Sequence, residues 1–244
     1  MELLELPVAN RAIFVKKRYL AGRRKLFKVN VGRPAPLEPR AVTAFLALFD
    51  AQLDDHDKVI VTDFGYGLFS HTLTERMSAL CHRRNVPYFA DVSENPRTSI
   101  LKFKGPALVT PNENELRLAF GERNAKLAKL AARYYEETGA HRLVITRGHE
   151  GAVYFSQAER CEDVPYATRL PVAKTTSVDS VGAGDVFLAT MGLLLGSRLG
   201  MPETLYLAGC CASVHVGRIG NQPVYLEELY GFLQDRRELA SPAG

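Results

Sequence analysis

Asp179–Thr190 reads DSVGAGDVFLAT, a glycine-rich turn that runs directly into an apolar, helix-forming stretch. Gly182 and Gly184 permit backbone conformations that other residues resist. With Ala183 between them, three consecutive amides can point at one anion, and the positive end of the following helix adds to the attraction. Negative charge developing on a transferred phosphoryl group would be stabilised at such a place. Asp185 falls in the first turn of that helix. A carboxylate there can take the proton of an attacking hydroxyl, or simply complement the helix N-terminus. No Lys follows the glycines, so the turn is not a Walker A loop. GxGxxG is absent, and the turn lies late in the chain, so it is not a dinucleotide fingerprint either.

Upstream of this turn, short β-branched runs alternate with helical ones. Lys58–Asp63 (KVIVTD), Pro87–Val92 (PYFADV), Ala107–Thr110 (ALVT) and Arg142–Gly148 (RLVITRG) read as strands. His71–Asn85, Asn112–Phe120 and Ala125–Thr138 read as helices, the last stopped by Gly139. GAVYFS, at 151–156, pairs with the strand before it. Helical stretches over Gly184–Leu199, Pro202–Val216 and Leu226–Leu239 close the chain. Apolar strands in alternation with helices predict an α/β fold, a doubly wound, mostly parallel sheet with helices on both faces. Ligands of such sheets sit at the carboxyl ends of the strands, which places Asp63, Asp91, Asn112 and Thr146 on one rim.

The first 57 residues differ from the rest. Arg11 to Lys28 holds eight basic residues and no acidic one, in a pattern of two strands joined at Ala21–Gly22 with Phe14, Lys16 and Arg18 alternating. A nucleic-acid arm, a charged solvent face and a lid that meets an anionic substrate all suit this pattern. The aromatics form no stacking set, which counts against nucleic acid. Residues 1–40 are read as a partial β lid and linker, and 41–244 as the α/β nucleotide-binding core. The formal charge, 31 − 27 = +4, is too mild to demand a polyanionic partner. No apolar run approaches the about 20 residues that span a bilayer. The acidic start MELLELPVAN lacks the positive region of a signal peptide, so a cytoplasmic protein is expected. Cys81, Cys161, Cys210 and Cys211 form no CxxC pair, which argues against a zinc site.

DSVGAGD resembles the D-T-x-G-A-G-D signature of the ribokinase/PfkB carbohydrate kinases. Three further segments are similar to that family, in the same order: VTPNENEL (Val109–Leu116), LVITRGHEG (Leu143–Gly151) and SVHVGRIGNQP (Ser213–Pro223). VIVTDFGYG and VKKRYLAGRRKLFKVN further resemble the heptose-7-phosphate kinases within it. The resemblance implies a ribokinase-like fold and transfer of the γ-phosphoryl group of ATP to a sugar or sugar phosphate. Asp185 would be the base, and Gly182, Ala183 and Gly184 the anion hole. Asn112 and Glu115 would organise Mg2+ through water; their spacing also suits a helix capping box. Thr146, Gly148 and Gly209 would lie along the nucleotide, and Asp63 and Asp91 near the sugar. Asp179 and the carbonyls of Val181, His215, Arg218 and Gly220 match the family's positions for a monovalent cation such as K+.

The chain also departs from the family's pattern. The family's opening strand and first Gly-Gly signature have no counterpart before Arg11; a truncated gene model, a split enzyme with a complementing chain and a compensating homodimer each account for this, and a non-catalytic or partner-dependent nucleotide-binding protein is the alternative reading. Tyr66 stands where the heptose kinases have Lys, Val92 and Ser93 where they have Pro and Lys, Gly209 where Asn is usual, and Val224 where some members have a Ser ligand.

Overall fold

The computed structural model describes residues 3–6, 8, 14–22, 24–93, 95, 97–161, 164–170 and 178–236, with backbone alone at 24–25, 157–161 and 164–170. Its centre is a six-stranded sheet in the order β3-β4-β5-β6-β7-β8. The strands are β3 Val59–Asp63, β4 Tyr88–Val92, β5 Leu108–Val109, β6 Arg142–Thr146, β7 Ala152–Cys161 and β8 Val164–Leu170. β3 to β6 run parallel, and β7 and β8 are antiparallel additions at one edge. The fold class expected from the sequence is borne out. GAVYFS forms the hairpin partner expected of it, and the strand continues to Cys161.

The parallel strands β4, β5 and β6 are buried on both sides, and alternate residues feed two cores. On one face Tyr88, Ala90, Leu143 and Ile145 pack beneath α1 (Pro39–Leu53), α2 (His71–Arg84), α3 (Glu113–Phe120) and α4 (Leu127–Thr138). On the other, Phe89, Leu108 and Val144 meet Phe187, Leu188 and Met191 of α5 (Ala183–Leu194) and Leu205 and Ala208 of α6 (Met201–Val216). α7 (Leu226–Gln234) follows α6 and packs against it.

Local signals fix the helix ends. Ser70 accepts from the Leu73 amide at the start of α2. His82, Arg83 and Arg84 crowd its last turn, where the helix dipole is negative. Gly139 ends α4 at φ 68°, a left-handed conformation that a side chain would oppose. The last helices are shorter than the sequence pattern suggests: α5 stops at Leu194, and α7 is described to Gln234.

β1 (Val15–Ala21) and β2 (Arg24–Val31) form a separate antiparallel hairpin. It rests on the loop after β3. Phe14 stacks on Tyr66 with ring centroids 3.6 Å apart, and Lys16 Nζ lies 4.8 Å from the Phe64 ring centre and 5.0 Å from that of Tyr66. The base of that loop is tied by a buried ion pair. Lys102 Nζ donates to Asp63, to Thr98 Oγ1 at 2.8 Å and to the Phe69 carbonyl at 2.9 Å, so all three of its protons are used. Asp63 accepts in addition from Thr98 and from the Gly65 amide. Breaking one side of such a pair leaves a buried charge without compensation, at a cost of about 3–5 kcal/mol. Lys102→Met is therefore expected to lower unfolding free energy by about that amount in urea titrations, and adding Asp63→Asn to it should recover part of the loss.

Candidate phosphoryl-transfer site

The carboxyl ends of the parallel strands deliver the expected rim. Asp91 is the penultimate residue of β4, and Thr146 ends β6. Asn112, just after β5, bridges Thr146 in parallel register. Asp63 reaches the same end of β3, but its carboxylate is 3% exposed and committed to Lys102, Thr98 and Gly65.

α5 begins at this rim. Gly182 is its N-cap at φ 86°, and the helix starts at Ala183. The position requires glycine twice over, because a Cβ there would come within 2.1 Å of Asn221 Oδ1 and 3.0 Å of His215 Nε2. The first amides of a helix have no intrahelical acceptor; among those of the turn, Ala183 makes a long contact of 3.3 Å to the Ser180 carbonyl. Asp185 lies in the first turn. Burial pushes its carboxyl pKa up, while Lys16 and His215 pull in the opposite direction.

Asp91 faces the same turn, with Oδ2 3.6 Å from where a Cβ on Gly184 would stand. Its Oδ1 is sealed from solvent without a hydrogen-bond partner. Burial, then the charges of Glu115 and Asp185, hold its pKa well above the usual carboxylate range. Asn112 and Glu115 form a full capping box on α3: Asn112 Oδ1 accepts from the Glu115 amide at 2.8 Å, and Glu115 Oε2 from the Asn112 amide at 2.6 Å. The capping role anticipated from their spacing is real, and it fixes both side chains at the rim.

Mg2+ prefers hard oxygen ligands and keeps several waters. Among the described residues no three acidic, His or Cys side chains form a ready metal cage. The orphaned Asp91 Oδ1 and the crowding of Asp91, Glu115 and Asp185 fit a hydrated divalent ion shared with substrate phosphates.

The remaining expected residues are placed as follows. Thr146 donates its amide to the Pro111 carbonyl at 2.9 Å, and Gly148 opens a short 3-10 turn at φ 55°. Gly209 lies within α6, and a Cβ added there meets nothing within 4 Å. Asp179 accepts from the Val181 and Gly220 amides, and His215 and Arg218 bind the loop that follows α6. Two contributors were missed individually in the sequence. Lys16 was read only as part of a basic strand, and its effect on Asp185 depends on the hairpin docking. Arg147 joins β6 to α3 through Glu113 at 2.8 Å, a contact between segments far apart in sequence.

The pattern of the pfkB family carbohydrate kinases matches residues 44–228. The chain belongs to that family. Among curated relatives, a "Bifunctional protein HldE" from Desulfatibacillum aliphaticivorans is 26% identical over 229 residues, covering 93% of this chain and 45% of the relative. One from Nitratiruptor sp. is 25% identical over 223 residues, 90% of this chain and 45% of the relative. This pfkB-family chain thus spans about half the length of the curated relatives it matches. Solved structures share the fold. Arabidopsis thaliana ribokinase complexed with ribose and ATP superposes with a TM-score of 0.66 at 18% identity, covering 85% of this chain and 65% of that one. Escherichia coli phosphofructokinase-2 in complex with potassium gives 0.69 at 16%, covering 85% and 66%. No helix among the described residues is long and apolar enough to cross a membrane.

The Asp91 environment has a consequence for stability. Its pKa is higher in the folded than in the unfolded chain, so the native state binds the proton more tightly, and stability falls as pH rises from the ordinary carboxylate value through the raised one. Asp91→Asn removes this fall. Its thermal midpoint at pH 7–8 should exceed that of the parent, by roughly 2–4 °C for each 1 kcal/mol recovered, and the difference should vanish near pH 3–4 in scanning calorimetry.

Proposed function

We propose that the chain transfers the γ-phosphoryl group of ATP to a hydroxyl of a phosphorylated sugar, with a heptose 7-phosphate as the leading candidate. The observation that carries this reading is the placement of Asp185. It is a half-buried carboxylate with a raised pKa, set in the first turn of α5 directly after the Gly182–Gly184 turn. The carboxylate takes the proton of the substrate hydroxyl as its oxygen attacks the γ-phosphorus and ADP departs. Charge on the transferred group is met by the amides of Gly182, Ala183 and Gly184 and by the helix dipole. Such transfer relies on positioning and charge stabilisation more than on covalent chemistry.

Asn112 and Glu115, with Asp91, would hold Mg2+ through its waters. When bound, the ion neutralises phosphate charge at the rim. The nucleotide would lie along Thr146, Gly148 and the open space beside Gly209. Lys16 favours a phosphorylated acceptor. It stands over Phe64 and Tyr66 on the hairpin, close enough to lower the pKa of Asp185. Among the relatives, the "Bifunctional protein HldE" similarity fits the heptose-kinase resemblance of the VIVTDFGYG segment.

ADP release measured against a panel of sugars and sugar phosphates tests the reading. Turnover on at least one sugar phosphate is expected, and ATP binding with no turnover on any acceptor would favour a partner-dependent nucleotide-binding protein. Asp185→Asn should cut turnover by about 10²–10⁴ with the fold intact; an unchanged rate removes the base from Asp185. Because the base works deprotonated and its pKa is raised, kcat should fall with decreasing pH along a limb lying above the ordinary carboxylate value. Lys16→Met removes a charge that lowers that pKa. It should shift the limb to higher pH, and raise KM for the phosphorylated sugar more than for ATP, in initial-rate profiles.

A further inference from the structure

The family resemblance implies a monovalent cation beside the anion hole, at Asp179, Val181, His215, Arg218 and Gly220. At four of these positions, Asp179, Val181, His215 and Gly220, the oxygens of this chain already have hydrogen-bonding partners. The Val181 carbonyl faces His215 Nε2 at 2.7 Å. Asp179 Oδ1 accepts from the Val181 amide at 3.1 Å, and Oδ2 from the Gly220 amide at 3.3 Å. The Gly220 carbonyl accepts from the Gln222 amide at 3.1 Å, and the His215 carbonyl from the Arg218 amide at 3.4 Å. Val224, where some members carry a Ser ligand, offers no side-chain oxygen.

The His215 ring has a second contact. Its Nδ1 lies 3.0 Å from the backbone carbonyl of Gln222. Carbonyl oxygens only accept hydrogen bonds, so an imidazole satisfies two of them only with hydrogen on both nitrogens, its cationic form. The ring is fully buried, at 0% exposure. It sits under the glycine turn, with Nε2 3.0 Å from the place of a Cβ on Gly182. Its charge is among those that oppose the effect of burial on Asp185.

We infer that His215 is a positioning residue that takes the place of the alkali ion. Its imidazole, donating from both ring nitrogens, ties the Val181 carbonyl to that of Gln222 beneath the Gly182–Gly184 turn. The turn is thereby held open to a phosphate without a metal on its far side. The inference rests on the reading of that turn as a phosphate site, and on the geometry of the ring itself.

Two measurements on the full chain test it. Long-range proton–nitrogen NMR should show both ring nitrogens of His215 as N–H donors; one bare nitrogen overturns the inference, and no nucleotide is needed. Thermal unfolding and ADP binding are then compared in KCl and in tetramethylammonium chloride at equal ionic strength. The parent chain should show no potassium-specific rise in midpoint, since a bound ion would stabilise by mass action, and its ADP affinity should agree between the two salts within about twofold. His215→Ala should lose about tenfold in ADP affinity, the scale of a lost charge-assisted hydrogen bond, and regain it in KCl but not in tetramethylammonium chloride. A parent chain that needs potassium, or a variant that binds ADP as tightly as the parent in both salts, overturns the inference. If His215→Ala does not fold, the ring spectrum and the salt comparison on the parent decide. A parent chain that binds no ADP counts against the proposed function, and the ring spectrum and the potassium dependence of unfolding still judge His215.

Discussion

The burial of negative charge at the mouth of the parallel sheet governs the arrangement of the rest. Asp91, Glu115 and Asp185 share one rim, and Asp91 has a buried carboxylate oxygen that no protein donor reaches among the described residues. Two features of the chain counter this repulsion. The N-terminus of α5 offers its dipole, and Lys16 from the hairpin and the buried His215 both act to lower the pKa of Asp185. What remains uncompensated is an electrostatic preference for positive charge at this rim, the same crowding that raises the Asp91 pKa.

The geometry also links the hairpin to the chemistry. β1 carries Lys16 toward Asp185, yet the hairpin forms its own two-stranded sheet and, among the described residues, shares no strand pairing with the central one. It is placed by Phe14 on Tyr66 and by Lys16 over two rings. Tyr66, a departure from the heptose-kinase pattern, thus exchanges a point charge for a flat surface on which a lysine from another strand can rest.

Features carried by neighbouring residues were legible in the sequence. The Gly139 stop, the Asn112–Glu115 capping box and the glycine turn before Asp185 each follow from the stereochemistry of a few consecutive residues. Strand alternation gave the layer order because parallel strands must be apolar on both faces. α1 was not read from the sequence. It has no side-chain cap, and Ala41 to Leu48 is apolar nearly all round, so its period is blurred. β8 was missed: it lies at the far edge of the sheet, where among the described residues it pairs with the preceding antiparallel strand alone. In the site, the sequence named Asp185 and its glycines but not the position of Lys16, and it treated His215 as a backbone ligand. Both depend on contacts between segments far apart in the chain, the His215 ring lying 34 residues from its Val181 partner.

The Lys102–Asp63 pair has a meaning beyond the loop it ties. Each partner is buried and each is stable only because the other is charged, so neither position is free to drift by single changes. A lineage leaving this arrangement would pass through a form with an isolated charge in its core, or would have to exchange both residues together. The two positions are therefore coupled energetically, and the loop bearing Phe64 and Tyr66 is anchored at its base through Gly65 and Phe69 by both charges together.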